Sequence, residues 1–295
     1  MNEAVFKEKF IAFIDILGFK NHVEAAEKGD GLSLAELYDA TDELGRLKTL
    51  AQIREYGPSI CPESAHVAPD LDFQITQVSD CAIVSAEISP AGAINLVNHC
   101  WGAVLMLMTK GFMCRGFISR GLIHHTESRL AGSGYQNAYE KEQSTTAFAH
   151  EADERGTPFV EIDDEVSQYI EQHGDVCVKR MFSRYVKSDG SVTAIFPFQR
   201  LGHQFVIGGQ IGPYRQQFDP EKEKRSNDIC RQSITSFKDQ MMKYVDPANI
   251  GAMQKVRHYI TALDAQLEAC DRTDELIDAL CRPIGRPVSD LFSTE

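Results

Sequence analysis

Phe10-Ile-Ala-Phe-Ile-Asp-Ile-Leu-Gly-Phe19 is an apolar, β-leaning run broken by one carboxylate, Asp15. Farther along, Gln77-Val-Ser-Asp-Cys-Ala-Ile-Val-Ser85 places Asp80 in similar surroundings. A lone charge inside an apolar strand is costly to bury, so each carboxylate needs compensation. Two acidic residues brought together at neighbouring strands suit a pair of divalent cations. Hard ions take carboxylate and carbonyl oxygen, and magnesium commonly shares its shell with substrate phosphates. Nucleotide chemistry is therefore the first inference.

The rest of the composition narrows the class. With 295 residues, 43% hydrophobic and 25% charged, the chain has the make-up of an ordinary globular protein. No uninterrupted apolar run is long enough to span a bilayer, and Met1-Asn-Glu-Ala-Val-Phe-Lys-Glu-Lys9 turns polar where a signal peptide becomes apolar, so a cytoplasmic location is expected. Eight cysteines without a CxxC pair suggest neither a zinc knuckle nor a disulfide framework. A net charge of −13 argues against a broad nucleic-acid surface, although a few local cations suffice to hold a small anion.

Residues 9 to 16 read as a buried strand, Gly18 as the relaxed corner before a helix over about 20 to 28, and about 33 to 54 as a second helix. Residues 71–76 and 81–87 read as a hairpin with Asp80 at its tip. Ser89-Pro90 opens a long apolar helix to about 110. A strand over 112 to 123 follows, then a turn at Gly132-Ser-Gly134 and a helix over about 135 to 151. Strands are expected near 158–162, 177–186 and 191–196, with a short helix between the first two. The order βααββαβ is an α+β plan, ferredoxin-like, with helices packed on a mainly antiparallel sheet. Two apolar-striped helices, over 221 to 245 and from about 250 onward, form a C-terminal α-helical hairpin broken at Asp246-Pro247. The expected domains are 1–215 and 216–295.

Three stretches together resemble the class III nucleotide cyclase catalytic domain over about residues 8 to 200. They are Phe13-Ile-Asp-Ile-Leu-Gly-Phe19, Ser79-Asp80, and Arg115-Gly-Phe-Ile-Ser-Arg-Gly121 followed by a Gly-rich turn and the pattern Ala138 to Glu142. The resemblance implies two magnesium or manganese ions per site on Asp15, Asp80 and the Ile16 carbonyl. It also implies cyclisation of a nucleoside triphosphate and a homodimer with sites at the interface. The amides of Leu17, Gly18 and Phe19, at a helix N-terminus, are placed to hold phosphates.

Departures from the family pattern sharpen the expectation. Its purine-reading positions fall here on Thr76 and Arg129, and its transition-state pair falls on Gln136 (or Asn137) and Glu140, so the arginine is missing. Arg115, Arg120 or Lys141 is left to substitute, unless the domain is inactive. Retained metal carboxylates with replaced purine readers resemble the bacterial pyrimidine cyclases of anti-phage defence, the Pycsar cyclases. That resemblance implies conversion of UTP or CTP to a cyclic nucleotide that activates a separate effector; from charge and hydropathy, no nucleic-acid or membrane partner is expected. The alternatives are an adenylate or guanylate cyclase with an unusual pocket, and an inactive nucleotide-binding or interaction protein. His124-His125 is not expected to bind one ion, because neighbours in a strand face opposite ways. Ile207-Gly-Gly-Gln-Ile-Gly212 reads as a turn.

Overall fold

A computed structural model describes residues 4–45, 47–59, 68–203 and 218–281. The chain divides into two compact units, one of residues 1–197 with 237–260 and the other of residues 198–236 with 261–295. In the first, β1 (Lys7–Ile16) is followed by the helices α1 (Phe19–Glu27), α2 (Leu34–Gly45) and α3 (Leu47–Tyr56). The hairpin β2 (Gln74–Val78) and β3 (Cys81–Glu87) comes next, then α4 (Pro90–Thr109), β4 (Cys114–His125), β5 (Leu130–Ala131) and α5 (Ser133–Glu142). The remaining elements are β6 (Val160–Ile162), α6 (Asp164–His173), α7 (Val176–Ser183), β7 (Val186–Ser188) and β8 (Thr193–Ile195).

Among the described residues the sheet runs β2-β3-β1-β4-β6-β8-β7, with β5 beside β4. Every pairing is antiparallel except β4 with β6. β1 is central and apolar on both sides, which is why its sequence is a continuous run and not an alternating one. On one face Ile11 and Phe13 join Ile83, Ile123 and Ala138 of α5. The other face takes α4 and α6, where Phe10 meets Tyr169 of α6 edge-on at 5.2 Å. The α+β architecture expected from the sequence is observed, and Ser79 and Asp80 form the tip between β2 and β3.

Two close fits hold this arrangement. Ser89 caps α4 by accepting a hydrogen bond from the Gly92 amide at 2.9 Å, as its Ser-Pro start requires. α5 lies against β4 at a glycine–glycine contact: a Cβ on Gly121 would be 2.7 Å from Gly134 Cα, and one on Gly134 would overlap Ile11 Cδ1.

The structure corrects four expectations, the first being that the helix expected over about 135 to 151 ends at Glu142 as α5. The strand expected at 177–186 is instead helix α7, because Asp175 accepts a hydrogen bond from the Val178 amide at 2.8 Å and starts a helix in a β-branched stretch. The helix expected over 33 to 54 is assigned as α2 and α3. α4 is long and apolar enough to cross a membrane by length and composition, yet 72% of its apolar window is buried inside the protein, as in a core helix. No disulfide forms among the described cysteines. The turn expected at 207–212 lies outside the described residues.

The two C-terminal helices, α8 (Pro220–Lys243) and α9 (Ile250–Cys281), are present. Their stretches 220–236 and 261–281 belong to the second unit, where Asn227 Nδ2 donates to the Cys270 carbonyl at 2.8 Å. Arg231 reaches Asp271 and Asp274. Residues 237–260 belong to the first unit.

Candidate active site

β1 carries Asp15 to its C-terminal end, where the strand pairs with Cys81 of β3 on one side and Arg115 of β4 on the other. The Ile16 amide donates to the Asp80 carbonyl at 3.0 Å, which ties the hairpin tip to the end of β1. Directly opposed residues share a sheet face, so Asp15 stands beside Arg115. Arg115 Nε donates to Glu142 Oε1 of α5 in an ion pair whose carboxylate is only 3% exposed. Gly156, at φ +68°, makes room for that guanidinium: a Cβ there would come within 2.7 Å of Nη1.

The result is a half-buried group of three carboxylates with two cations. Burial, then the charges of Asp80 and Glu142, push the Asp15 carboxyl up to about 7, against the opposing pull of Arg115 and Lys255. Lys255, on α9, is pulled below the ordinary lysine range by burial and by Arg115. Burial and the same three carboxylates push the Cys81 thiol up to about 11, so Cys81 is a poor nucleophile here. A carboxylate raised by burial and by like charges is short of positive charge, and its hard oxygen donors suit divalent magnesium or manganese.

A cleft of about 600 Å³ adjoins this group. Leu17, Gly18 and Asn21 line it from the start of α1, and Lys243, Asn249 and Lys255 from the C-terminal helices. Gly18 takes φ +74° at the N-cap of α1, with no side chain capping the helix, and a Cβ there would meet nothing within 4 Å. The Leu17 amide is occupied, donating to the Met113 carbonyl at 2.9 Å, and Phe19 is buried.

Other sequence-nominated residues lie elsewhere in the chain. Thr76 is on β2, bonded to His125 Nε2 at 2.9 Å, and strand geometry puts it roughly 12 Å from Asp15. Arg129 is exposed in the turn beyond the far end of β4, with Arg115 at the near end. Gln136 is exposed on α5 and Asn137 half-buried, both about one and a half turns before Glu142. Lys141 is engaged by Asp163 at 2.7 Å and lies 4.8 Å over the Phe117 ring. Arg120 pairs with Glu8. Within one chain, then, Asp15, Asp80 and Arg115 come together, while Thr76, Arg129 and Lys141 do not join them. His125 is buried against Ser85 whereas His124 reaches the Val5 carbonyl, so the two point apart.

Glu142 is visible in the sequence only as the end of a pattern. Lys255, on a helix far along the chain, carries no local signal.

No family model matches the chain, and no curated protein matches it. Among solved structures it is similar to the catalytic core of a rhodopsin-guanylyl cyclase with converted specificity, in complex with ATPαS. That likeness has 15% identity and a TM-score of 0.36, over 56% of this chain and 82% of that one. It is also similar to a class III adenylyl cyclase-like ATP-binding protein from Pseudomonas aeruginosa, with 7% identity and a TM-score of 0.34, over 56% of this chain and 35% of that one. Likenesses this distant carry no weight for substrate or activity.

Proposed function

We propose that the chain is a nucleotide cyclase that converts a pyrimidine nucleoside triphosphate, UTP or CTP, to its 3′,5′-cyclic monophosphate and pyrophosphate. One observation carries this reading: Asp15 and Asp80, nominated from separate stretches of sequence, meet at the end of β1 with Glu142 nearby, beside a cleft that contains Gly18 and Lys255. Asp15, Asp80 and the Ile16 carbonyl would hold two magnesium or manganese ions. Bound there, such ions lower the pKa of a ribose hydroxyl and offset charge on the departing pyrophosphate.

The chain's own residues do the remaining work. The Gly18 corner and the start of α1 receive the phosphates, and the helix dipole favours their charge. Lys255 faces the same cleft as a further cation. Arg115 is held by Glu142 at the edge of the carboxylate group, so it orients that group and can meet a phosphate only by exchanging partners. The base is read by residues that include Thr76, Arg129, Gln136 and Asn137 in a homodimer with interfacial sites. The remoteness of Arg129 from Asp15 within one chain suits that arrangement. The cyclic product would act in the cytoplasm as a second messenger of anti-phage defence on a separate effector, a role that rests on the sequence resemblance.

The test incubates purified protein with each of the four ribonucleoside triphosphates and manganese and identifies products by mass spectrometry. A cyclic pyrimidine nucleotide is the expected product. A purine product removes the pyrimidine assignment, and no product from a folded protein removes the enzyme. Asp15→Ala and Asp80→Ala are each expected to lower turnover at least about 100-fold without changing oligomeric state, since either loss removes an ion ligand; undiminished turnover in both would place the ions elsewhere.

A further inference from the structure

We propose that His150, Glu154 and His258 form a second, separate metal site that takes a borderline transition ion of the zinc class. One ligand atom from each of the three lies within 4.8 Å of the others. His150 and Glu154 sit on the loop after α5, and His258 on α9, all within the first compact unit.

His258 is almost fully buried, and its Nε2 lies 2.7 Å from Glu154 Oε1. Its other ring nitrogen, Nδ1, is buried with no hydrogen-bond partner among the described residues. With Nε2 facing Glu154, Nε2 is the ring nitrogen placed to ligate an ion, and Nδ1 takes no part in the site. Glu154 is oriented independently, because its Oε2 accepts the His150 backbone amide at 2.7 Å. The His150 ring stacks on His258 with centroids 4.0 Å apart and planes 19° from parallel. Because imidazole lone pairs lie in the ring plane, the exposed His150 would have to turn out of this stack to share an ion with His258.

The donor set selects the ion. Two imidazoles and one carboxylate favour zinc and its neighbours over magnesium, which prefers oxygen alone. Tetrahedral zinc with bonds of about 2.0–2.2 Å places its ligand atoms roughly 3.4 Å apart. His258 and Glu154, now 2.7 Å apart, have to open by about 0.7 Å, and the exposed His150 has to turn and close by up to about 1.4 Å. The ion would replace the hydrogen bond between Nε2 and Oε1. Glu151 and Asp153 line the adjoining cleft of about 250 Å³ with Arg155 and Arg257, whose charges balance theirs. The fourth position opens into that cleft. Because His258 lies three residues after Lys255 on α9, the ion would fasten the loop to the helix that presents Lys255 to the carboxylates.

The test uses full-length protein stripped with a chelator and then held in excess magnesium to occupy oxygen-only sites. Zinc is titrated by calorimetry, and cobalt(II) is followed by its visible spectrum. Wild type is expected to take one tight equivalent of zinc, to rise in Tm on binding, and to give an intense low-coordinate cobalt spectrum without a thiolate charge-transfer band. His150→Ala, chosen because its side chain is exposed, and Glu154→Gln are each expected to weaken zinc binding at least about 30-fold and to lose the Tm shift. Equal affinity in wild type and His150→Ala, no saturable equivalent, or a thiolate band placing the ion on cysteine would each overturn the site. None of these readouts depends on nucleotide turnover.

Discussion

Asp15 meets two carboxylates, Asp80 and Glu142, and two cations, Arg115 and Lys255. Its carboxyl is raised to about 7 in the folded protein, above the ordinary value of 3.8 that an unfolded chain restores. A raised folded value means the folded state binds the proton more tightly. Its contribution is therefore fully present below about pH 4 and is lost as pH rises through about 7. Discounted for partial exposure, the loss is on the order of 2 kcal/mol. In chelator, wild type should lose stability relative to Asp15→Asn between about pH 4 and about pH 7 in denaturant titrations, and added manganese should restore it. Parallel stabilities of the two proteins across that range would show that Asp15 feels no such repulsion. This residue is legible because a single charge stands in an unbroken apolar strand, and Asp80 because it stands at a hairpin turn. Lys255 is not, since a lysine on an amphipathic helix is ordinary in sequence and gains meaning only from what it packs beside.

The elements around the site are legible to the degree that their signals are local. Ser89-Pro90 announces α4, and Gly18 announces the corner before α1. α7 reads as strand because Val176-Cys-Val weighs that way, while the deciding feature is the cap at Asp175, just before it. The docking of α5 is only half legible: Gly121 and Gly132-Ser-Gly134 stand out as glycines, but their contact joins separate elements. Gly134→Ala drives a Cβ into Ile11 and the Gly121 backbone. It should cost about 1–3 kcal/mol in denaturant unfolding and, by displacing the helix that ends at Glu142, lower turnover more than it lowers nucleotide binding. An unchanged unfolding midpoint would mean that α5 does not sit this close to the sheet.

At the scale of the whole molecule, the α+β sheet and the paired C-terminal helices α8 and α9 are readable from periodicity, but the route of that pair is not. An amphipathic stripe tells that a face is covered without telling by what. In the folded chain, residues 237–260 are part of the first compact unit, with Met241, Val256 and Tyr259 fully or almost fully buried. Tyr244 and the Gln240 carbonyl press on Gly111, where a Cβ would come within 2.9 and 2.6 Å of them. Removing buried side chains of this size costs about 2–5 kcal/mol each, against a total stability of about 5–15 kcal/mol for a typical domain. A chain ended after residue 215 should therefore fail to unfold cooperatively by calorimetry and should expose apolar surface to a dye. If the shorter chain instead melts as one sharp transition at the full-length temperature, the C-terminal helices are dispensable to the sheet, and Lys255 loses its claim to the site.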